Sequence, residues 1–332
     1  MSIPTPVPGQ GLASAGSAGR SSKGLGARIW DARWCYALMV PGLVLIGMFS
    51  AYPMVMSWYY SFYDWSGIGN TKYYIGLQNY RQIIHDHFFW SAFSRSFWFM
   101  VVATPIELIV SLLIAVLLND KALKLGPIFR TLIFIPVVTT TAIVSIVMSF
   151  VFAAYDGPIN MALQKLGLIN HPIDYLGNPH SVMWTAIGIF CWKWLGQPMI
   201  YWLAGLQTIP QEIYEAARVD GASSWRQLTS ITAPLMTPFA IVITLITAVG
   251  NLQVFAFLQA LTNGGPFYST ETMELYIYRT AFGAAGSASQ PRLGYASAAG
   301  IIFGVVVMII AAVQILALRR WRSDASGLGR SA

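Results

Sequence analysis

Charge is scarce in this chain: only 10% of its 332 residues are Asp, Glu, Lys or Arg, against roughly a quarter in an ordinary soluble domain. That deficit excludes a solvated globular protein as the main architecture. Cysteine occurs twice, as Cys35 and Cys191, far apart and each inside an apolar segment. Two such thiols make no disulfide framework and read as packing residues. There is no Gly-x-x-x-x-Gly-Lys-[Ser/Thr] phosphate loop, so nothing here cradles a nucleotide in that way. The four histidines, His85, His87, His171 and His180, fall in expected external loops without the additional ligands a metal site needs. No nucleophile, base and acid converge in the apolar segments, which argues against an intramembrane hydrolase.

What the chain does have is apolar length, with 56% hydrophobic residues. Runs long enough to cross a bilayer, about 20 residues each, lie near 35–60, 96–118, 128–153, 182–204, 235–260 and 295–318. The expectation is an all-α, polytopic membrane protein of six transmembrane helices. Lys and Arg concentrate in cytoplasmic loops. Placing both termini inside puts thirteen of them on the cytoplasmic side and six outside, with Lys193 inside a helix. The net charge of +7 therefore follows from topology, with no nucleic acid required. Residues 1–28, rich in Gly, Ser, Ala and Pro, read as a disordered cytoplasmic tail. Residues 29–322 form the membrane domain and 323–332 a C-terminal tail. The first apolar run follows a basic stretch and has no clear small-residue cleavage site, so it reads as an anchor.

One polar island interrupts this pattern between the fourth and fifth runs, within the loop 205–234: Glu215-Ala216-Ala217-Arg218-Val219-Asp220-Gly221-Ala222, followed by Ile231, Pro234 and Pro238. Its signals predict a short helix with Thr208 as N-cap, Gln211 completing a capping box, Pro210 in the first turn and Gly221 as the stop. A second short helix starts at Ser223 or Ser224. Ala216 and Ala217 leave a shallow spot on a charged helix, the shape of a knob that enters a groove.

Glu-Ala-Ala, three residues, Gly, then Ile-x-x-Pro resembles the EAA loop of the membrane subunits of bacterial ABC importers, in their carbohydrate branch. The resemblance extends through Phe129-Arg130-Thr131 and Pro136, Trp192-Lys193-Trp194-Leu195-Gly196, Gly205-Leu206-Gln207-Thr208-Ile209-Pro210, Leu261-Thr262-Asn263-Gly264-Gly265-Pro266 and Tyr276-Ile277-Tyr278-Arg279-Thr280-Ala281-Phe282. The chain departs from it at Ala233, where the family usually has leucine, and at Leu228, often phenylalanine.

The resemblance implies the type I importer permease fold in the bacterial cytoplasmic membrane, paired with a second, homologous permease subunit. It implies two ABC ATPase subunits, which would bind ATP and Mg, and an extracytoplasmic solute-binding protein docking on the outer loops 61–95, 154–181 and 261–294. This chain would carry no cofactor and no catalytic residue. Glu215, Ala216, Ala217, Asp220 and Gly221 would couple ATPase closure to the membrane helices. Solute contacts of maltose-type permeases map onto Trp194, Leu195, Gly196, Asn251 and Gln253. A sugar is the expected substrate, with glycerol phosphate or another polar solute as an alternative. An ion-coupled secondary transporter is the rival from another class, although the internal repeats expected of one are not evident.

Asn251 and Gln253 are two apart on a helix and cannot face one point squarely, which favours Asn251. Trp202 reads as an interfacial anchor. Thr139, Thr140 and Thr141 offer hydroxyls, although such threonines commonly bond their own backbone. Glu107 and Lys193 each fall near the middle of an apolar run, where an unpaired charge costs at least about 2.5 kcal/mol. They are expected to face the bundle interior, pairing with each other or lining the path.

Overall fold

Helices dominate the structure, a computed structural model that describes residues 33–119, 123–283 and 290–328, with side chains as far as residue 316. The tail 1–28, Lys121 and Arg330 lie outside the described residues. The chain divides into two units, residues 1–55 and 56–332. In the first, helix α1 (Arg33–Tyr60) begins. It contains a π-turn at Gly47–Ala51, and the apolar side chains of Leu38, Phe49 and Met54 along it are exposed.

The second unit opens with a two-stranded antiparallel hairpin, β1 (Tyr63–Asp64) on β2 (Tyr73–Tyr74). Helix α2 (Gln78–His85) follows, then the long α3 (His87–Asn119). Helix α3 starts nine residues before the expected 96 because Asp86 caps it. The Asp86 carboxylate accepts from the Phe88 amide at 2.8 Å and the Phe89 amide at 3.3 Å, satisfying first-turn donors that otherwise have no partner. Its other oxygen accepts from the phenols of Tyr276 and Tyr295, each at 2.6 Å. His85 and His87 accordingly lie in helices rather than in a loop. Residues Ala92, Ser96, Phe99, Ala103, Glu107, Ser111, Ala115 and Leu118 form one buried stripe along α3. The spacing of three and four is that of a single helix face, and its small residues let neighbouring helices approach closely.

The third apolar run is two helices, α4 (Gly126–Val138) and α5 (Thr141–Val151), bent by 98°. Pro136 lacks an amide hydrogen, and Thr139 turns extended with ψ 143°, so the ladder stops there. A short α6 (Pro158–Lys165) precedes α7 (Val182–Trp194) and α8 (Gly196–Leu206), so the fourth run is also broken, at Leu195. After the loop helix α9 (Gln211–Val219), helix α10 (Ser224–Gly250) carries the fifth run. The helix expected to be short after Ser223 runs through a π-turn at Leu228–Thr232 into that membrane segment. Helix α10 stops at Gly250, and residues to 261 form the separate α11 (Phe255–Leu261). Asn263 and Gly264, both at positive φ, and a cis Gly265–Pro266 peptide lie in the turn that leads to α12 (Met273–Phe282). Helix α13 (Leu293–Leu328) closes the chain, extending into the segment expected to be a tail.

By length and composition, four described helices can cross a membrane, or five when the bent α4–α5 pair counts as one span. Three apolar clusters hold the second unit together, and α3 supplies each of them: Phe99 with Phe190 and Phe257, Phe89 with Met273 and Tyr276, and Ala115 with Trp202 and Met236. Trp202 is thus a core residue. Its indole donates to Ser111 Oγ at 3.1 Å, which removes it from the interface.

Candidate functional site: a polar cavity and an exposed loop helix

The cavity forms where α3, the α7–α8 break and the end of α10 meet. It encloses about 410 Å³ and is lined by Glu107, Phe190, Trp194, Gln197, Asn251 and Gln253 together with apolar residues of α8 and α10. At its buried end Asn251 crosses to α3. One amide nitrogen donates to Thr104 Oγ1 and to Glu107 Oε2, both at 3.0 Å, which commits both of its hydrogens. Glu107 Oε1 and Trp194 Nε1 are buried and have no hydrogen-bond partner among the described residues. Aromatic rings beside amide and carboxyl groups give the lining faces for apolar carbons and hydrogen-bonding groups for hydroxyls.

Lys193, fully buried, does not pair with Glu107. Its ammonium donates to the carbonyls of Pro136 and Thr139, each at 3.2 Å, and lies 4.2 Å from the centre of the Trp194 ring. The last carbonyls of a helix lack partners and carry the negative end of its dipole. The bend after α4 exposes such carbonyls to Lys193, and the cation holds that bend in place. Of the two alternatives, pairing is not the arrangement seen: Lys193 is engaged at the α4 bend, and Glu107 is engaged by Asn251 in the cavity lining.

Of the five residues mapped to the solute path, Trp194, Asn251 and Gln253 line the cavity, whereas Leu195 and Gly196 do not. Gly196 is a packing residue: a Cβ there would lie 2.7 Å from the Ile133 carbonyl and 3.0 Å from Val137 Cγ2. Thr139 bonds back to the Ile135 carbonyl at 2.9 Å, as expected of threonine in such a helix. Thr104, Phe190 and Gln197 were missed. Thr104 and Glu107 lie three apart on α3, a spacing that places both beside one partner.

The second region is the loop helix α9, nearly all exposed. Its C-terminus closes as expected. The Ala222 amide donates to the Ala217 carbonyl at 2.9 Å and the Gly221 amide to the Arg218 carbonyl at 3.1 Å, with Gly221 at φ +76°, a Schellman closure. Ser223 caps the next helix, accepting from the Arg226 amide. The start differs from the expectation. Pro210 occupies the N-cap position, and the Thr208 hydroxyl donates back to the Gly205 carbonyl at 2.7 Å. Pro210 fixes the entry φ without a hydroxyl, which leaves Thr208 to close the end of α8.

Tyr214 ties α9 to α10 through a 3.0 Å hydrogen bond with Thr232 Oγ1, and Gln227 donates to the Ala222 carbonyl at 2.9 Å. Beside Glu215 and Ala216, the apolar side chains of Val219 and Trp225 are exposed. Neither was singled out from the sequence, where apolar residues near a membrane segment carry no signal of exposure.

At α12 and the turn before it, Glu271 pairs with Arg279 at 2.9 Å, and the Arg279 guanidinium stacks 4.2 Å from the Tyr268 ring centre. Burial pushes the Glu271 carboxyl up to about 7, against the pull of Arg279 and Arg95. Asp86 moves the other way. Burial raises it, but the donors Tyr276, Tyr295, Phe89 and Phe88 outweigh burial and hold it below its usual value. Among the described residues, no three His, Cys, Asp or Glu side chains converge as a metal site would require.

A comparison with known families decides the class: residues 82–323 match the model of the binding-protein-dependent transport system inner membrane component. The chain belongs to that family. The resemblance carried by the EAA motif is thereby borne out. The chain is similar to the lactose transport system permease protein LacF of Rhizobium radiobacter, at 33% identity over 86% of this chain and 93% of that protein. It is 28% identical to the arabinooligosaccharides transport system permease protein AraP of Bacillus subtilis (strain 168), covering 84% of this chain and 87% of that one. Among solved structures, a bacterial ABC transporter involved in import of the acidic polysaccharide alginate superposes with a TM-score of 0.76 at 23% identity. That match covers 90% of this chain and 99% of the other, and it supports the fold.

Proposed function

We propose that this permease carries a sugar or sugar derivative through the cavity between α3, α7–α8 and α10, driven by ATP that partner subunits hydrolyse. The observation that carries the reading is the joint placement of Trp194, Asn251 and Gln253 in one cavity. Relatives named for lactose and arabinooligosaccharide transport support the solute class. Six spans complete the topology when the bent pair α4–α5 and the broken pair α7–α8 each cross once. Both termini and α9 then face the cytoplasm of a bacterial inner membrane, in accord with the distribution of Lys and Arg.

The mechanism follows from the two regions. A loaded solute-binding protein docks on the outer loops, and ATP with Mg draws two ATPase subunits together. The knob formed by Glu215, Ala216, Ala217, Asp220 and Gly221 sits in a groove of one ATPase and moves with it. Because Tyr214 ties α9 to Thr232, that movement passes into α10, whose far end carries Asn251 at the cavity. A second, homologous permease supplies the other wall. Alternating exposure of the cavity to the two sides of the membrane then moves the solute inward.

The test is to co-express the chain with its genomic neighbours and measure ATP hydrolysis with binding protein loaded with candidate sugars. Substituting Glu215 or Gly221 is expected to abolish the stimulation. If no ATPase co-purifies and transport persists on an ion gradient, the reading fails and a secondary carrier replaces it.

A further inference from the structure

We propose that Glu107 is a specificity-determining residue, and that it makes this chain's half of the cavity accept neutral or amino-bearing saccharides and reject uronates. The inference rests on the cavity being the solute path, and adds the charge class of the solute. Glu107 is the single ionisable residue of the lining, which contains no Lys, Arg or His. Lys193, next in sequence to the lining residue Trp194, is engaged by the Pro136 and Thr139 carbonyls. Glu107 is 1% exposed, with Oε2 held by Asn251 and Oε1 without a partner among the described residues.

A buried acceptor left unbonded is costly until a donor reaches it. Trp194 Nε1 is the complementary case, a buried donor without an acceptor. A sugar hydroxyl both donates and accepts, so it satisfies either atom, and an amine donates to Oε1. The carboxylate of an ionised uronate accepts from the indole but brings no hydrogen to Oε1, and it loses its hydration beside a carboxyl group in a lining that holds no cation. Discrimination of this kind works by leaving buried polar groups unpaired against the wrong solute.

The experiment uses the full complex of both permeases and both ATPases in lipid nanodiscs, and measures binding of three radiolabelled disaccharide sets: neutral, diamino and di-uronic. The wild type is expected to bind members of the first two sets at least about tenfold more tightly than any uronate. Glu107→Gln should narrow that ratio by about tenfold. Gln197→Lys places a cation in the lining without touching the Asn251 bonds, and should shift the ratio towards uronates by a similar factor. Co-purification of the ATPases checks that each variant assembles. A wild type that prefers uronates, or ratios unmoved in both assembled variants, overturns the assignment of Glu107 alone. Failure to bind any of the three sets overturns the sugar reading and this inference with it.

Discussion

The loop helix α9 and the cavity are both polar interruptions of an apolar chain, yet they are built in opposite ways. Helix α9 is a local object. Its closing bonds join residues no more than five apart, from Ala217 to Ala222, and nearly all of its surface faces outward. The cavity is assembled across the sequence, with Asn251 bonding residues 144 and 147 positions away. A local object keeps its shape while it moves as a unit, which suits a lever. A buried, long-range network ties α3 to the end of α10, so a shift of α10 is felt in the cavity.

The sharpest way to break this contrast is Asn251→Leu. It orphans Thr104 and Glu107 together, at roughly 1–3 kcal/mol for each unsatisfied buried group. The midpoint of thermal unfolding in detergent should fall clearly, and solute binding should be lost with it. An unchanged midpoint would mean that the bonds across α3 and α10 do not hold the helices together. Lys193→Met comes next. Leaving the Pro136 and Thr139 carbonyls without their charged donor should cost about 1.5–3 kcal/mol, seen as earlier unfolding and faster proteolysis at the α4–α5 bend.

Gly221→Val is expected to cost about 1–2 kcal/mol locally, because φ +76° suits glycine and strains a residue with a Cβ. Its effect should appear as uncoupling, with stimulated ATP hydrolysis lost while solute binding to the cavity stays near wild type. Loss of binding as well would show that the two regions are not separable.

A smaller effect separates the two carboxylates Glu271 and Asp86. Glu271 is raised from 4.5 to about 7, so the native state holds more protons than the unfolded chain across that window. Stability should therefore fall as pH rises from about 4.5 to about 7, and Glu271→Gln should flatten that slope. Asp86 is lowered, so its contribution is present above its unfolded value of 3.8 and is lost as pH falls below it. Thermal unfolding in detergent against pH, comparing wild type with Glu271→Gln, reads the first slope directly. A slope that survives in the variant would assign it to another group.

The residues divide in the same way when sequence is set against structure. Gly221, Ser223 and the Glu215-Ala216-Ala217 run were legible because capping chemistry acts within a few residues. The Thr208 capping box was misread because a hydroxyl near a helix start can equally close the helix before it, and only the position of α8 decides between the two. The stripe of small residues on α3 was present in the spacing, and it put Glu107 on the inner face. The partner of Glu107 was not legible, because opposite charge suggested Lys193 while the fold supplied Asn251. Gly196 carried a family pattern without its cause, which is the approach of α8 to the Ile133 carbonyl.

The sequence by itself determined that this is a helical membrane protein with a capped helix in the loop between its fourth and fifth apolar runs, since apolar run length and capping are local properties of the chain. Tertiary structure alone decided that three of those runs are broken, that Lys193 holds a bend and that Trp202 is core. It also decided that Glu107, Trp194, Asn251 and Gln253 share one cavity. Which buried polar group meets which is set by how distant helices pack, and the hydrogen bonds that result have no signature in the spacing of residues along the chain.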